Sequence, residues 1–208
     1  MKRLIALLII VTCLVATAED SFQHRGAVER LLEHYEAGGE PLEALLTVKP
    51  DGTGLVVAIG HEVTETDNLK LGDVISFSQA ATFFNTDVAT AIASAYRDVP
   101  NLDTHPQPVQ TVLVAMCFQI GGRGVAQFHA MLKALEKRDY GAAALAILDS
   151  EWARKQTPHR ARAMSHLMQQ AAEKHSTKQE LLQIAKQLRQ GSLTPSAAAD
   201  RIEEICKR

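Results

Sequence analysis

Cysteine is scarce in this chain, with three in 208 residues (Cys13, Cys117 and Cys206), so a small scaffold held by a dense disulfide framework is excluded and the fold must rest on an apolar core. No Cys/His spacing resembles a zinc site, and neither a metal nor another cofactor is expected. Internal repeats and low-complexity linkers are absent. An excess of one charge is also missing: 22 basic residues stand against 24 acidic ones, a net charge of −2, which does not suggest nucleic acid as the main partner. What remains is a chain 46% hydrophobic and 22% charged, long enough for one substantial core or for two lobes sharing a helix.

The first 18 residues read as a cleavable export signal: Lys2 and Arg3, the apolar run Leu4 to Val15, then Ala16-Thr17-Ala18 as an A-x-A site. The run is shorter than the roughly 20 apolar residues that span a bilayer. Cleavage after Ala18 predicts an exported protein, periplasmic or secreted, beginning at Glu19 and with no stable membrane span after cleavage. Losing Lys2 and Arg3 takes the net charge to −4, unevenly spread: residues 19–103 hold 15 acids and five bases, the remainder nine acids and 15 bases. An anionic polymer would meet the rear half more readily. Cys117 lies in an apolar run and Cys206 near the end; a disulfide between them and two separate thiols both remain open.

Periodicity predicts a helix over Gln23 to Ala37, with Val28, Leu31, Leu32 and Tyr35 on one face and Gly38-Gly39 as its stop. Leu42 to Val48 and Leu55 to Ile59 read as β-runs on either side of a Pro50-Asp51-Gly52 turn, with Gly60-His61 closing the sheet. Ser78 is the expected cap of a connecting helix reaching about Tyr96, with Phe83, Phe84, Val88 and Ile92 on its apolar side. Pro106 to Ile120 is apolar almost all round and belongs in the middle of a bundle. Helices follow over Gly124 to Lys137, Tyr140 to Leu148 and Pro158 to about His175, then a final pair, Lys178 to Arg189 and Pro195 to Cys206. The expected organisation is a signal peptide over 1–18, a two-lobed domain over 19–176 and a helical extension over 177–208 that caps apolar surface of the bundle.

Two carboxylates frame the small sheet: Glu36 at a helix end and Asp51 in the turn. On local grounds each is an ordinary solvated or turn-forming residue. In context, a helix, a small sheet, a connecting helix and a bundle make a cleft, with both acids entering from the small lobe. His61 is expected to satisfy backbone or sheet contacts, and Trp152 to be core.

The runs Met116-Cys117-Phe118-Gln119-Ile120-Gly121, Gly124-Val125-Ala126-Gln127-Phe128 and Ser150-Glu151-Trp152 through Gln156-Thr157-Pro158-His159-Arg160 resemble the C-terminal lobe of phage-type lysozymes, the muramidases of T-even bacteriophages. Phe83-Phe84-Asn85-Thr86-Asp87-Val88 is similar to that family's connecting helix, and the resemblance runs in register from about Val28 to Gln170. It implies an α+β, lysozyme-like fold with a small N-terminal β-sheet lobe and a larger all-helical lobe joined by a long helix. It also implies a peptidoglycan hydrolase cutting the β-1,4 glycan bond, with Glu36 as general acid, Asp51 as the aspartate of the turn, and Arg160 pairing with the acid. Phe118 and Gln119 fall on the substrate-binding cleft wall, and Val56 on the threonine that helps hold the attacking water. Gly38 to Leu45 is extra relative to the family, so Glu40 or Glu43 takes the acid's role if that insertion is placed differently. Inversion needs a protonated acid and a carboxylate roughly 6.5–9.5 Å apart. The expected partner is the glycan strand of peptidoglycan; an inhibitor protein is not specified by the sequence. Two other readings stay open, a catalytically decayed module binding peptidoglycan or protein, and a lytic transglycosylase using one acid.

Overall fold

The computed structural model describes residues 24–36 and 41–207. The expected signal segment, the Gly38-Gly39 stop and Glu40 lie outside them. The chain divides into two compact units between Gln127 and Phe128. It is mostly helical, and among the described residues one three-stranded antiparallel sheet lies in the first unit, which gives the α+β class that the sequence predicts.

In the first unit α1 spans Arg25–Glu36 and buries Val28 and Leu32, the stripe read from periodicity. Arg25 at its start donates to Asn85 Oδ1 at 2.8 Å. Next comes a correction: Leu42–Leu46 forms a short helix, α2, where a β-run was expected. Its Leu-Glu-Ala-Leu-Leu sequence contains only strong helix formers, Pro41 precedes it at φ −58°, and the β-branched Thr47 and Val48 turn the chain extended only afterwards. The strands are β1 Lys49–Asp51, β2 Gly54–Val57 and β3 His61–Glu62, in the order β1-β2-β3. Ile59, expected in a strand, sits in the Ala58-Ile59-Gly60 connection.

That connection is conformationally demanding. Ala58 is buried at φ 54°, and its N–H donates to Leu45 O at 2.7 Å. A left-handed alanine costs roughly 1–2 kcal/mol. Behind the sheet, Val48, Val57, Ala58, Ile75 and Ala80 form a small core, with Leu46, Leu55, Val63, Leu69 and Phe83 packed against it.

Helix α3 spans Phe77–Asp98, and its cap is Ser76 rather than the expected Ser78. Ser76-Phe77-Ser78-Gln79 is a capping box, in which Ser76 accepts from the Gln79 N–H while Gln79 Oε1 accepts from the Ser76 N–H. Helix α4, Gln107–Ala126, is buried at nine consecutive positions from Val109 to Cys117. It is long and apolar enough to cross a membrane, but 61% of its most apolar window is buried inside the protein, so it serves here as a core helix. Gly121 breaks it at φ 68°, where the sequence predicts a stop, and helix resumes to Ala126. Beside the break, Gly122 lets α4 approach α3 closely: a Cβ there would run into the Asp98 carboxylate and reach 3.0 Å from Ser94 Cβ.

The second unit holds α5 His129–Glu136, α6 Tyr140–Leu148, a π turn Trp152–Gln156, α7 Pro158–Arg189 and α8 Pro195–Cys206. Two helices were expected within Pro158–Arg189; α7 is unbroken, since neither Gly nor Pro interrupts it after Pro158. Ser165 Oγ donates to Ala144 O at 2.8 Å and ties α7 to α6 around buried Ala143, Ile147, Met164 and Met168. Gly191 at φ 68° ends α7, and Thr194 caps α8 by accepting from the Ala197 N–H. Ile184 and Ala198 are buried between these last helices, while Leu181, Leu182 and Ile202 stay exposed. Trp152 is core, meeting Phe128 edge-on at 6.1 Å.

Gly122→Ala should lower stability by about 1–3 kcal/mol through overpacking between α3 and α4. Ala58→Gly should stay within about 0.5 kcal/mol of the parent, because relief of the left-handed backbone offsets the lost methyl and the looser unfolded chain. Ala91→Gly, in the buried face of α3, should cost more than about 1 kcal/mol. Urea unfolding midpoints check all three.

Candidate active site

The hairpin decides what each face of the sheet carries. Asp51 pairs with Gly54, leaving a Gly52-Thr53 loop in which Gly52 takes φ 58°, as the tight turns of two-residue hairpins require. Lys49 pairs with Val56, and Val56 with Glu62. Side chains alternate along a strand, so Lys49, Asp51, Val56 and Glu62 share one face. Leu55, Val57 and His61 point the other way, onto the small core. The structure thus brings Asp51 and Val56 together on the outer face, Asp51 exposed and Val56 half-buried. Lys49 and Glu62 join them, a grouping the sequence reading missed although strand alternation was enough to find it.

Helix α1 ends at Glu36, whose side chain lies outside the described residues. One turn earlier, Glu33 is half-buried, and burial, with Glu29 adding to it and Arg30 opposing it, raises its carboxyl above the usual range. Glu43 is exposed on α2, a separate element from α1.

Phe118 and Gln119 stand together on α4 just before the Gly121 break, both half-buried, with Phe118 edge-on to Phe84 at 6.2 Å. Next to Phe118, Cys117 is buried, and burial first, with the Asp98 charge second, pushes its thiol up to about 12. Cys117 and Cys206 are both free thiols, Cys117 buried and Cys206 exposed. Arg160 belongs to the second unit, half-buried in the first turn of α7. Among the described residues no group of three or more His, Cys, Asp or Glu is placed to hold a metal ion.

His61 departs from its expected role, because its Nδ1 bonds to a side-chain carboxylate rather than to backbone. Its Nδ1 lies 2.8 Å from Asp87 Oδ2 on α3, its Nε2 lies 3.5 Å from Asp67 Oδ2, and its ring stacks on Phe83 at 4.0 Å and 5°. The two carboxyls respond in opposite directions. Burial pushes Asp87 up, with the hydrogen bond and charge of His61 opposing it. The Thr64 hydroxyl and amide hold Asp67 below the usual range. The histidine was visible in the sequence, but its partners are 26 and six residues away and no short spacing marks them.

With this geometry in place, the chain matches the family described as phage lysozyme over residues 36–174. The matched span starts at the last residue of α1 and covers the sheet, α3, α4, α5, α6 and the first half of α7.

His61→Ala should cost about 1–3 kcal/mol, since it removes the ring stack and strands the Asp87 carboxylate without its partner. Asp67, with its pKa depressed, stabilises the fold above its unfolded value, and that contribution is lost as pH falls through the folded value. Asp67→Asn should therefore flatten the acid side of the stability profile, read from urea midpoints between about pH 2 and pH 6.

Proposed function

The chain belongs to the phage lysozyme family, matched over about two thirds of its length, and on that premise we propose that it is an exported muramidase cleaving the β-1,4 glycan bond of peptidoglycan with Glu36 as general acid. The family is one of peptidoglycan hydrolases, glycoside-hydrolase-type enzymes of the cell wall. The observation that carries the finer reading is the outer face of the sheet, where Asp51 stands exposed beside Lys49, Val56 and Glu62, in a match that begins at Glu36.

In this mechanism the Glu36 carboxyl gives its proton to the leaving glycosidic oxygen, and Asp51 accepts a proton from the water attacking the opposite face of the sugar. Phe118 and Gln119 bind the sugar. Val56 supplies no hydroxyl, so Asp51 holds the water without that help. Export follows from cleavage after Ala18, and the basic character of the rear half suits an anionic wall. Residues 177–208 extend the two-lobed domain as a helical cap. Val56 also favours a second reading, a lytic transglycosylase in which the sugar's own hydroxyl replaces water.

Glu36→Gln should lower clearing of a peptidoglycan gel by about 10²–10⁴-fold, while Glu43→Gln leaves it unchanged. Equal clearing by wild type and Glu36→Gln would remove Glu36 from the mechanism. Asp51→Asn separates the two chemistries. Hydrolysis predicts reducing-end muropeptides that vanish with the mutation, whereas anhydro-ended products that persist identify the transglycosylase. Intact mass of the exported protein should start at Glu19.

A further inference from the structure

We infer that Glu62 is a further catalytic residue, a carboxylate on β3 that accepts a hydrogen bond from the attacking water above Val56. The inference rests on the muramidase reading and adds a water-holding group to it.

The register places Glu62. The Val63 N–H donates to Leu55 O at 2.8 Å, so Leu55 and Val63 form a hydrogen-bonded pair. The next pair along the antiparallel ladder, Val56 and Glu62, is then a non-hydrogen-bonded one, with Cα atoms about 4.5 Å apart and side chains at their closest. Glu62 is therefore the nearest neighbour of Val56 across β2 and β3 on the outer face. The central strand β2 offers that face only Gly54 and Val56, a low floor, while Lys49 and Asp51 rise from β1 and Glu62 from β3. Two strand spacings, about 10 Å, separate the walls.

The backbone under Glu62 is held firmly. His61 is hydrogen-bonded to Asp87 and stacked on Phe83, and Glu62, the next residue, leaves on the opposite side of the same strand. Nearby acids are occupied elsewhere: Asp67 accepts from the Thr64 N–H, Asp73 from the Lys70 N–H, and Asp87 is bonded to His61. Glu65 sits in a 3₁₀ turn off the sheet. The Glu62 side chain is exposed and makes no hydrogen bond or ion pair among the described residues.

Hydrolysis has a use for that carboxylate. Water attacks the anomeric carbon as the bond to the leaving sugar breaks, Glu36 gives its proton to the leaving oxygen, and Asp51 takes one proton from the water. The second O–H of the water stays in the product as the hydroxyl of the new reducing end. An acceptor for that O–H orients the water without competing for the transferred proton, and Glu62 supplies it from the wall opposite Asp51, where Val56 has no hydroxyl to do so.

The test measures reducing-end release from purified peptidoglycan by the full chain, with kcat and KM determined separately. Glu62→Val should lower kcat about tenfold to a hundredfold with KM and Tm unchanged, because it removes one charge-assisted hydrogen bond to the water and no contact within the fold. In a Val56→Thr background the same change should cost less than about threefold, since the new hydroxyl takes over the water. Glu65→Gln should release reducing ends as fast as the parent. Parental kcat in Glu62→Val would overturn the inference, as would an equal loss of kcat in both backgrounds, which makes Glu62 something other than a water holder. A rise in KM alone would also overturn it and make Glu62 a sugar-binding group. If the unmutated chain releases no reducing ends, the muramidase reading falls and the role of Glu62 falls with it.

Discussion

The small sheet depends on being tied to α3. Strands of three, four and two residues cannot stand alone in water, since isolated hairpins are marginal and three strands need an apolar face packed on something. The His61 ring does this for β3, hydrogen-bonded to Asp87 and stacked on Phe83, both on α3. Once His61 points inward, Val57 and Leu55 must follow it onto the core, and Lys49, Asp51, Val56 and Glu62 must face out. The position of the proposed Asp51 base is thus set by a contact on the opposite side of the sheet.

Where a local rule and the tertiary structure agree, the sequence was a good guide. Val28 and Leu32 carry a strong 3.6-residue period, and α4 is apolar at every turn, so α1 and α4 were legible as a buried stripe and a buried core helix. Tyr140 to Leu148 is a helix with the bounds that its composition suggested. The Pro50-Asp51-Gly52 signal did mark a turn, with Gly52 as its left-handed residue. The failures have physical reasons. Leu42 to Leu46 is too short for period to separate helix from strand. The break expected between about His175 and Lys178 is absent, because no Gly or Pro stands there to stop the helix. Ser76 and Ser78 both precede plausible first turns, and only Gln79 at the reciprocal position decides for Ser76.

The outer sheet face was half legible. Asp51 was recognisable as a turn acid and Val56 as a substitution, but their sharing a face with Lys49 and Glu62 needed the register, which depends on where His61 points. Glu33 needed burial, which no single-residue pattern reports. Thr157, at the N-cap position of α7, follows a π turn and sits at φ −132° and ψ 70°, where its side chain makes no capping bond, a geometry that the Thr-Pro pair does not reveal.

The chain between Glu36 and Asp51 bears most directly on whether this architecture supports chemistry. That stretch is fastened before the hairpin starts: α2 folds Leu42–Leu46 into a single helical turn, and its last two carbonyls accept from the other side of the small lobe, Leu45 O from Ala58 at 2.7 Å and Leu46 O from Ile75 at 2.9 Å. Leu46 also packs on the small core. Val48 then bonds to Asp73 and Gly72 before β1 begins. Because these bonds are made before Lys49, the hairpin leaves from an anchored point. Ala58 is held left-handed by the same arrangement, since its N–H is one of the bonds that fasten α2. The strain at Ala58 and the anchoring of α2 are two results of one packing solution, and that solution leaves the face bearing Asp51 open.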